Sequence, residues 1–563
     1  MLWGTVIAIP IIYTIARLTS LLRNRSLARR TKLPYILFPF FEANLFYITL
    51  FETRWFPYVV NRVLPQNLAD HIHDSIFRDR WAAKDRMAKK YGGVYLYVTP
   101  GGISCNIGDA DVVEQVCKSS HSFVKPVKHL AAFQMYGRSV FTSEGREWSY
   151  HHRYTAPAFN DKNNALYTLP AGSGSRFLLP DAREDILNLS LNIICGAGFG
   201  VKLPFKPSPK ATADDEADLF RDAPIPPPGY QFTFRSVMEY MNRSMISVFV
   251  ANSVLPTWIP PHEDLEKFLH ALVNIAEKSK EETHNLLESL VRSRREECDS
   301  TSNRAHGFSD ADILGNVYIF SIAGHETTAT TLRFALVLLA LHEDIQEELH
   351  TEIVQVLGDK SNDPARWDYA AVFPRLTRPL CIMLETLRLY TPVVSIPKLT
   401  TTPGADLTYR GQTHHLPPNV RVNLNANAVH YSEEYWGADA ATFNPARWDK
   451  RNADSFLAKN DGIKGLAGPG LESDSIHRPV RGAFVSFSDG VRSCIGRRFA
   501  QVEFVAVLVV LFHEYRVRPA RFGQESDKDA RGRAEKALPE SSTALTLAIT
   551  DKVPLEFERR SYV

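Results

Sequence analysis

Apolar and polar positions repeat with several different periods along the chain, and each period predicts an element. Met1 to Ala16 (MLWGTVIAIPIIYTIA) is uncharged and mostly apolar, and Leu18 to Leu22 carries the run past Arg17. A spanning helix needs about 20 such residues, so the run predicts a transmembrane anchor over residues 1–22, with Arg17 reaching back to the headgroups. Between Tyr91 and Gly108 (YGGVYLYVTPGGISCNIG) apolar residues alternate around Pro100-Gly101-Gly102, which predicts a β-hairpin. A helical period follows over Asp109 to Lys118, and helical patterns dominate Phe234 to Glu297.

The longest helical signal runs from Ser309 to His342. Ser309 and Asp312 form an S-x-x-D start signature. Its middle, NVYIFSIAGHETTATTLRFALVLLA, is apolar nearly all round, so this helix is expected to cross the protein interior. Further helices are predicted over Asp344 to Leu357, Pro379 to Tyr390 and Gly496 to His513. Pro392 to Pro445, rich in Pro, Thr and Asn with short apolar runs, predicts a small sheet and turns. Pro204 to Gly229, with PIPPPG, reads as an exposed loop. The pattern is that of a mostly α protein with small β-sheets, in one domain over residues 61–563.

Charge refines the N-terminal reading. Arg23, Arg25, Arg29, Arg30 and Lys32 follow the apolar run, so residues 23–60 read as a basic flank and an interfacial linker segment. By the positive-inside rule the flank and everything after it stay cytosolic. A cleaved signal peptide fits less well, because no basic residue precedes the apolar run. Over the whole chain 65 basic and 63 acidic residues leave a net charge of +2, which argues against nucleic acid as the partner. The six cysteines, Cys105, Cys117, Cys195, Cys298, Cys381 and Cys494, include no CxxC pair and fit neither a zinc spacing nor a disulfide framework.

Four stretches carry candidate chemistry. FSDGVRSCIG (Phe487 to Gly496) puts Cys494 between glycines, two residues after Arg492 and just ahead of a helix. A thiolate acting as ligand or nucleophile needs such stabilisation, from backbone N–H groups that glycines expose and from the helix N-terminus. The plain alternative is a buried loop cysteine. Gly324-His325-Glu326-Thr327-Thr328 interrupts the long apolar helix, where an acid and a hydroxyl need partners or a purpose. The plain alternative is a Thr hydroxyl bonded back to the preceding turn beside a solvent-facing Glu. Glu385 and Arg388 lie three apart on one helix face, and FNPARW supplies Arg447; a buried cluster of the three would be a structural brace.

Together these stretches resemble the signatures of the cytochrome P450 family. Phe487, Gly490, Arg492, Cys494 and Gly496 match F-x-x-G-x-R-x-C-x-G. Ala323, Gly324, Glu326, Thr327 and Thr328 match A-G-x-[DE]-T-[TS], and Glu385, Arg388, Phe443, Pro445, Arg447 and Trp448 match E-x-x-R and F-x-P-x-R-W. The order and spacing also agree, from Phe308 to Phe512.

The resemblance implies a cytochrome P450 fold behind the anchor, haem b (iron protoporphyrin IX) as cofactor, and Cys494 as the thiolate ligand of its iron. Arg492 would pair with a haem propionate, Phe487 would pack beside the cysteine loop, and Gly490 and Gly496 would let the macrocycle approach the backbone. Ala323 and Gly324 would leave a groove for dioxygen, with Thr327 and Glu326 relaying protons. In EGREWSYHHRYTAPAF, Trp148 matches a propionate-binding Trp, but His152 stands where the family has Arg, with Arg153 one residue on. Lys398 likewise stands where many members have a propionate-binding Arg. NDKNNALYTLPAGSGSRFLLPDA, between Phe159 and Arg183, is too short and too rich in Gly, Ser and Pro for the family's helix at that place. This departure is either natural or a gene-model error.

The implied activity is a membrane-anchored monooxygenase of the endoplasmic reticulum, with its catalytic domain cytosolic. It would insert one atom of O2 into a hydrophobic substrate of fungal secondary metabolism. Electrons would come from NADPH through NADPH-cytochrome P450 reductase, with cytochrome b5 as a second donor. Two alternatives stand beside it: a haem-thiolate isomerase or dehydratase, disfavoured by the intact AGHETT, and a degenerate haem-binding scaffold.

Overall fold

A computed structural model of the chain describes residues 2–38, 55–75, 79–159, 176–201, 219–220, 225–241, 260–278, 285–298, 308–358, 367–452, 475–477, 479–543 and 545–560. Its helices include α1 (Leu2–Arg30), α2 (Trp55–Val63), α3 (Ala110–Lys118), α4 (Gly145–Thr155), α5 (Ala182–Phe199), α6 (Pro260–Lys278), α7 (Leu286–Cys298), α8 (Asp310–Leu341), α9 (Glu343–Leu357), α10 (Thr377–Leu389) and α11 (Arg497–Glu514). The main sheet has the order β1-β2-β3-β9-β6-β4, formed by Tyr35–Leu37, Val94–Thr99, Gly102–Ile107, Arg421–Asn425, Ser395–Thr400 and Phe123–Val124. A second sheet joins β10 (Tyr515–Pro519), β13 (Leu555–Arg559) and β5 (Arg176–Leu179). Two-stranded ribbons pair β7 (Ala405–Tyr409) with β8 (Gln412–Leu416), and β11 (Ser542–Thr543) with β12 (Leu547–Ala548). Mostly helix with small sheets is the predicted class.

The long helix starts and stops where the pattern places it. Ser309 accepts the Asp312 backbone N–H and Asp312 accepts that of Ser309, a closed capping box. From Ile313 to Ile322 and again from Thr328 to Leu341 every residue of α8 is buried, as expected for a helix apolar on all sides. α5 packs along it, the largest helix–helix contact among the described residues, and α10 and α11 complete the shell. α3 begins on Asp109, whose carboxylate caps Val112 N–H, and the hairpin pairs Val94 with Ile107 through Thr99 with Gly102.

The N-terminus differs from expectation. α1 continues without a break past residue 22, through the basic flank to Arg30. Among the described residues no helix is long and apolar enough to cross a membrane, so the expected transmembrane anchor is not supported. The reason is local: Thr5, Thr14, Arg17, Thr19 and Ser20 dilute the apolar run before Arg23 ends it. The last turns of α1 belong to the folded body instead. Ala28 is buried with Leu33, Val94, Leu96 and Val98 on one face of the sheet, and Asn24 donates to the Thr99 carbonyl at 2.8 Å. Tyr95 and Tyr97, which alternate to the other face, pack with Val60 of α2. β1 then pairs in parallel with β2.

The segment after Phe159 is partly visible. Its end forms β5, paired antiparallel with β13, and Asp181 caps α5. Residues 160–175 lie outside the described residues, as do most of Leu33 to Leu50 and most of Pro204 to Gly229.

Candidate functional site

The Phe487–Gly496 loop is shaped by its backbone. Gly490 has φ +69°, and a Cβ there would stand 2.5 Å from the Cys117 carbonyl oxygen, so only glycine fits. The Cys494 N–H donates to the Phe487 carbonyl at 2.7 Å, closing the loop. Gly496 is different: a Cβ would meet only Phe159 at 3.9 Å and the Cys494 sulfur at 4.0 Å, ordinary contacts. The chain's own packing therefore does not require glycine at 496, which fits a residue kept small for a bound group.

Cys494 also stands apart from the other cysteines. Cys105, Cys117, Cys195 and Cys381 are buried, whereas Cys494 is accessible. Protein nevertheless crowds it: burial pushes its thiol above the ordinary value, against the Gly496 N–H and the charges of Arg497 and Lys125. A thiol that is accessible yet closely surrounded faces an interior space. Ala323 of α8 does the same, being exposed between buried stretches of the same helix.

Cations gather beside this thiol. The Arg492 guanidinium donates to the carbonyls of Val140 (3.3 Å) and Ser143 (2.5 Å), pairs with Glu144 at 2.5 Å and lies 4.4 Å over the Trp148 ring. Lys398 is buried on β6, and burial lowers its pKa. Lys125 lies with its ammonium 3.3 Å over the Phe141 ring; burial, then Arg492 and Lys398, push its pKa well down. Neither lysine has an ion-pair partner among the described residues. Three cations thus face one carboxylate, an excess that costs desolvation energy unless further anions join them. The two propionates of haem b answer that excess, and an iron ligand is available in Cys494, so the residues fit the group.

His152 does not add to this charge. It lies 4.9 Å from the Trp148 ring, and burial, reinforced by Arg492, lowers its pKa, so it is neutral near pH 7. Arg153 is exposed and stacks on Tyr154, outside the cluster. Phe487 is half-buried beside the loop, with Arg497 5.5 Å above its ring.

The polar patch of α8 divides its roles. The Thr327 hydroxyl donates to the Ala323 carbonyl at 2.8 Å, the back-bonded arrangement. Gly324 does not open a groove: a Cβ there would meet Ile194 of α5 at 3.1 Å, so its smallness serves close helix packing. Glu326 does not face solvent. It accepts the Thr546 hydroxyl on Oε1 at 3.0 Å, and its Oε2 is buried with no hydrogen-bond partner among the described residues. Burial raises its pKa to about 7, against that hydrogen bond and the Arg183 charge.

Behind the loop lies the brace. Glu385 is fully buried and accepts both Arg388 Nε and Nη2 at 2.8 Å, Arg447 Nε at 2.9 Å, Trp448 Nε1 at 2.9 Å and Asn444 N–H at 3.0 Å. Burial alone would raise its pKa, but Arg388 and Arg447 hold it below the ordinary value. Arg388 further donates to the carbonyls of His430 and Ala440. Every contact is structural. Lys125, Glu144, Ile194 and Thr546 are site residues to which sequence reasoning gave no role; Glu144 opens the EGREWSYHHRYTAPAF stretch, while Lys125, Ile194 and Thr546 reach the site from distant elements with no local motif to mark them.

The cytochrome P450 family profile matches residues 180–547. Similar curated proteins include a cytochrome P450 monooxygenase of Arthrobotrys oligospora, 28% identical over 95% of each chain. Two more come from Penicillium: one from Penicillium rubens, 30% identical over 91% of this chain and 90% of its own, and one from Penicillium roqueforti, 29% identical over the same shares.

Proposed function

The chain belongs to the cytochrome P450 family of haem b monooxygenases, and from that premise we propose that it oxidises an apolar organic substrate, with electrons from NADPH through a separate reductase. The observation that carries the site assignment is Cys494, the one accessible cysteine among the described residues, crowded by protein and near Lys125, which itself lies near Arg492 and Lys398. Haem b, when bound, supplies a redox-active iron at which dioxygen is activated.

The chain's own residues bind, orient and move protons. Cys494 would hold the iron as thiolate, and metal binding would offset the burial that keeps the free thiol protonated. Arg492, Lys125 and Lys398 would hold the propionates, with Trp148 keeping the Arg492 guanidinium in place from above. The buried length of α8 excludes water from the opposite side. Glu326, with a pKa of about 7, both holds and releases a proton near neutral pH. Thr327, one residue on, carries the hydroxyl nearest in sequence to that acid. Val393, exposed, and the mostly apolar Val124 to Met135 support a hydrophobic substrate, and a substrate from fungal secondary metabolism is part of the same proposal.

Membrane association belongs to the same reading. Ile11, Ile12, Ile15, Leu18 and Leu22 of α1 are exposed, as are Trp55, Tyr58 and Val63 of α2. Exposed apolar residues of this kind support contact with the surface of the endoplasmic reticulum membrane. The test of the whole is spectroscopic. The reduced, CO-treated protein should show a red-shifted Soret band that Cys494→Ala abolishes, and a substrate should drive NADPH consumption when reductase is present. Retention of the band in Cys494→Ala would overturn the ligand assignment.

A further inference from the structure

Glu326 and Thr546 are 220 residues apart, yet theirs is the one hydrogen bond on the acid's side chain among the described residues. Thr546 sits in the turn between β11 and β12 and is itself buried. That turn is pinned at two further points. Thr543 pairs with Leu547 across the ribbon, and the Leu547 N–H donates to the Pro392 carbonyl at 3.0 Å, just beyond α10. The hydroxyl therefore comes from backbone held on both sides, and not from a free loop. A pinned donor occupies one lone pair of Oε1 and leaves Oε2, buried and without a partner among the described residues, with both of its own, so Oε2 is the more open site for a proton. The one charge acting on the carboxyl among the described residues is the Arg183 guanidinium at the start of α5.

We propose that Thr546 is a positioning residue for Glu326: its hydroxyl ties Oε1 to the β11–β12 turn and makes Oε2 the atom that takes up and releases the proton. This rests on the reading of Glu326 as the acid of the site. A hydroxyl donating to a carboxylate stabilises the charged form, so its removal favours the neutral acid. The step needs no other reactant: Oε2 takes its proton from water when the acid is neutralised and returns it to water when the acid ionises.

The test uses the full-length, haem-loaded protein and two measurements. The first is the carboxyl C=O stretch of the protonated acid, followed against pH by difference infrared between each protein and its Glu326→Gln counterpart. Thr546→Val should shift this titration upward by about one pH unit, the size of a lost hydrogen bond to a charged group, and Thr546→Ser should restore it. The second is product formed per NADPH consumed, which should fall in Thr546→Val but show no further change when the substitution is made in Glu326→Gln. Thr546→Ala serves as the second variant if Val disturbs the ribbon. A Glu326 titration unmoved in Thr546→Val and Thr546→Ala would overturn the proposal, as would an equal loss of coupling in the Glu326→Gln background. If the CO spectrum fails in every protein, the proposed function falls, while the infrared titration still decides this inference.

Discussion

At the scale of single residues, the cysteine loop shows how much chemistry a few positions carry. Gly490 is irreplaceable for a stated reason: positive φ and a Cβ 2.5 Å from a carbonyl oxygen. Gly490→Ala should cost about 1–3 kcal/mol, read as a lower thermal midpoint with reduced haem content. Gly496→Ala meets no such clash in the protein, so its apoprotein should keep wild-type stability while losing haem affinity. Lys125 carries the sharper prediction. Its ammonium has an aromatic ring but no carboxylate among the described residues, so Lys125→Met should weaken haem binding by roughly tenfold in a titration of apoprotein, the worth of a charged hydrogen bond. Cys494, Arg492 and Trp148 were legible in the sequence because they fall within short motifs. Lys125 was not, because nothing in SFVKPVK distinguishes a site cation from a surface one.

At the scale of elements, α8 was the most legible part of the chain and α1 the least. The α8 boundaries follow from a capping box at one end and an all-round apolar surface between. Ser309→Ala should cost about 1 kcal/mol of stability, measured by denaturant unfolding. α10 carries the brace, where removing one charge leaves two arginines without their anion. Glu385→Gln should cost about 3–5 kcal/mol. The sign with pH follows from the lowered carboxylate pKa. The stability the ion pairs provide is present above the unfolded value of 4.5 and is lost as pH falls through the lower folded value. The gap between wild type and Glu385→Gln should therefore narrow on acidification below about 4.5. α1 misled because an apolar run of marginal length has the same appearance whether it enters a bilayer or lies along a protein. What decides is its far end, where Ala28 and Asn24 dock on the sheet.

At the scale of the whole molecule, pH should act through buried acids in the opposite sense to Glu385. Burial raises Glu503, on α11, to about 8 and Glu326 to about 7. Both are neutral when folded at pH 6 but ionised when unfolded. The folded state then holds more protons, and stability falls as pH rises from about 4.5 until each folded group ionises in turn. Buried His325 and His430, lowered to about 4 and about 3, act in the opposite sense below 6.5, so the check is a difference: the thermal midpoint of wild type relative to Glu503→Gln should decline between pH 5 and 8, and an unchanged difference would count against the burial argument. The exposed apolar residues of α1 predict a second whole-molecule behaviour. Replacing Ile11, Ile12 and Ile15 with Ser should lower partition onto phospholipid vesicles without changing the CO spectrum.

The sequence by itself determined the helical class, the hairpin, the limits of α8 and the glycine-flanked loop around Cys494, because each depends on short-range spacing. Periodicity, capping and a glycine-flanked cysteine all act within a few residues. The tertiary structure alone decided which polar residues meet. It turned Gly324 toward Ile194, gave Glu326 to Thr546, set Lys125 and Lys398 beside Arg492, and carried α1 onto the sheet. Those pairings join residues up to hundreds of positions apart, and at that separation only packing and the need to satisfy buried polar groups select the partner.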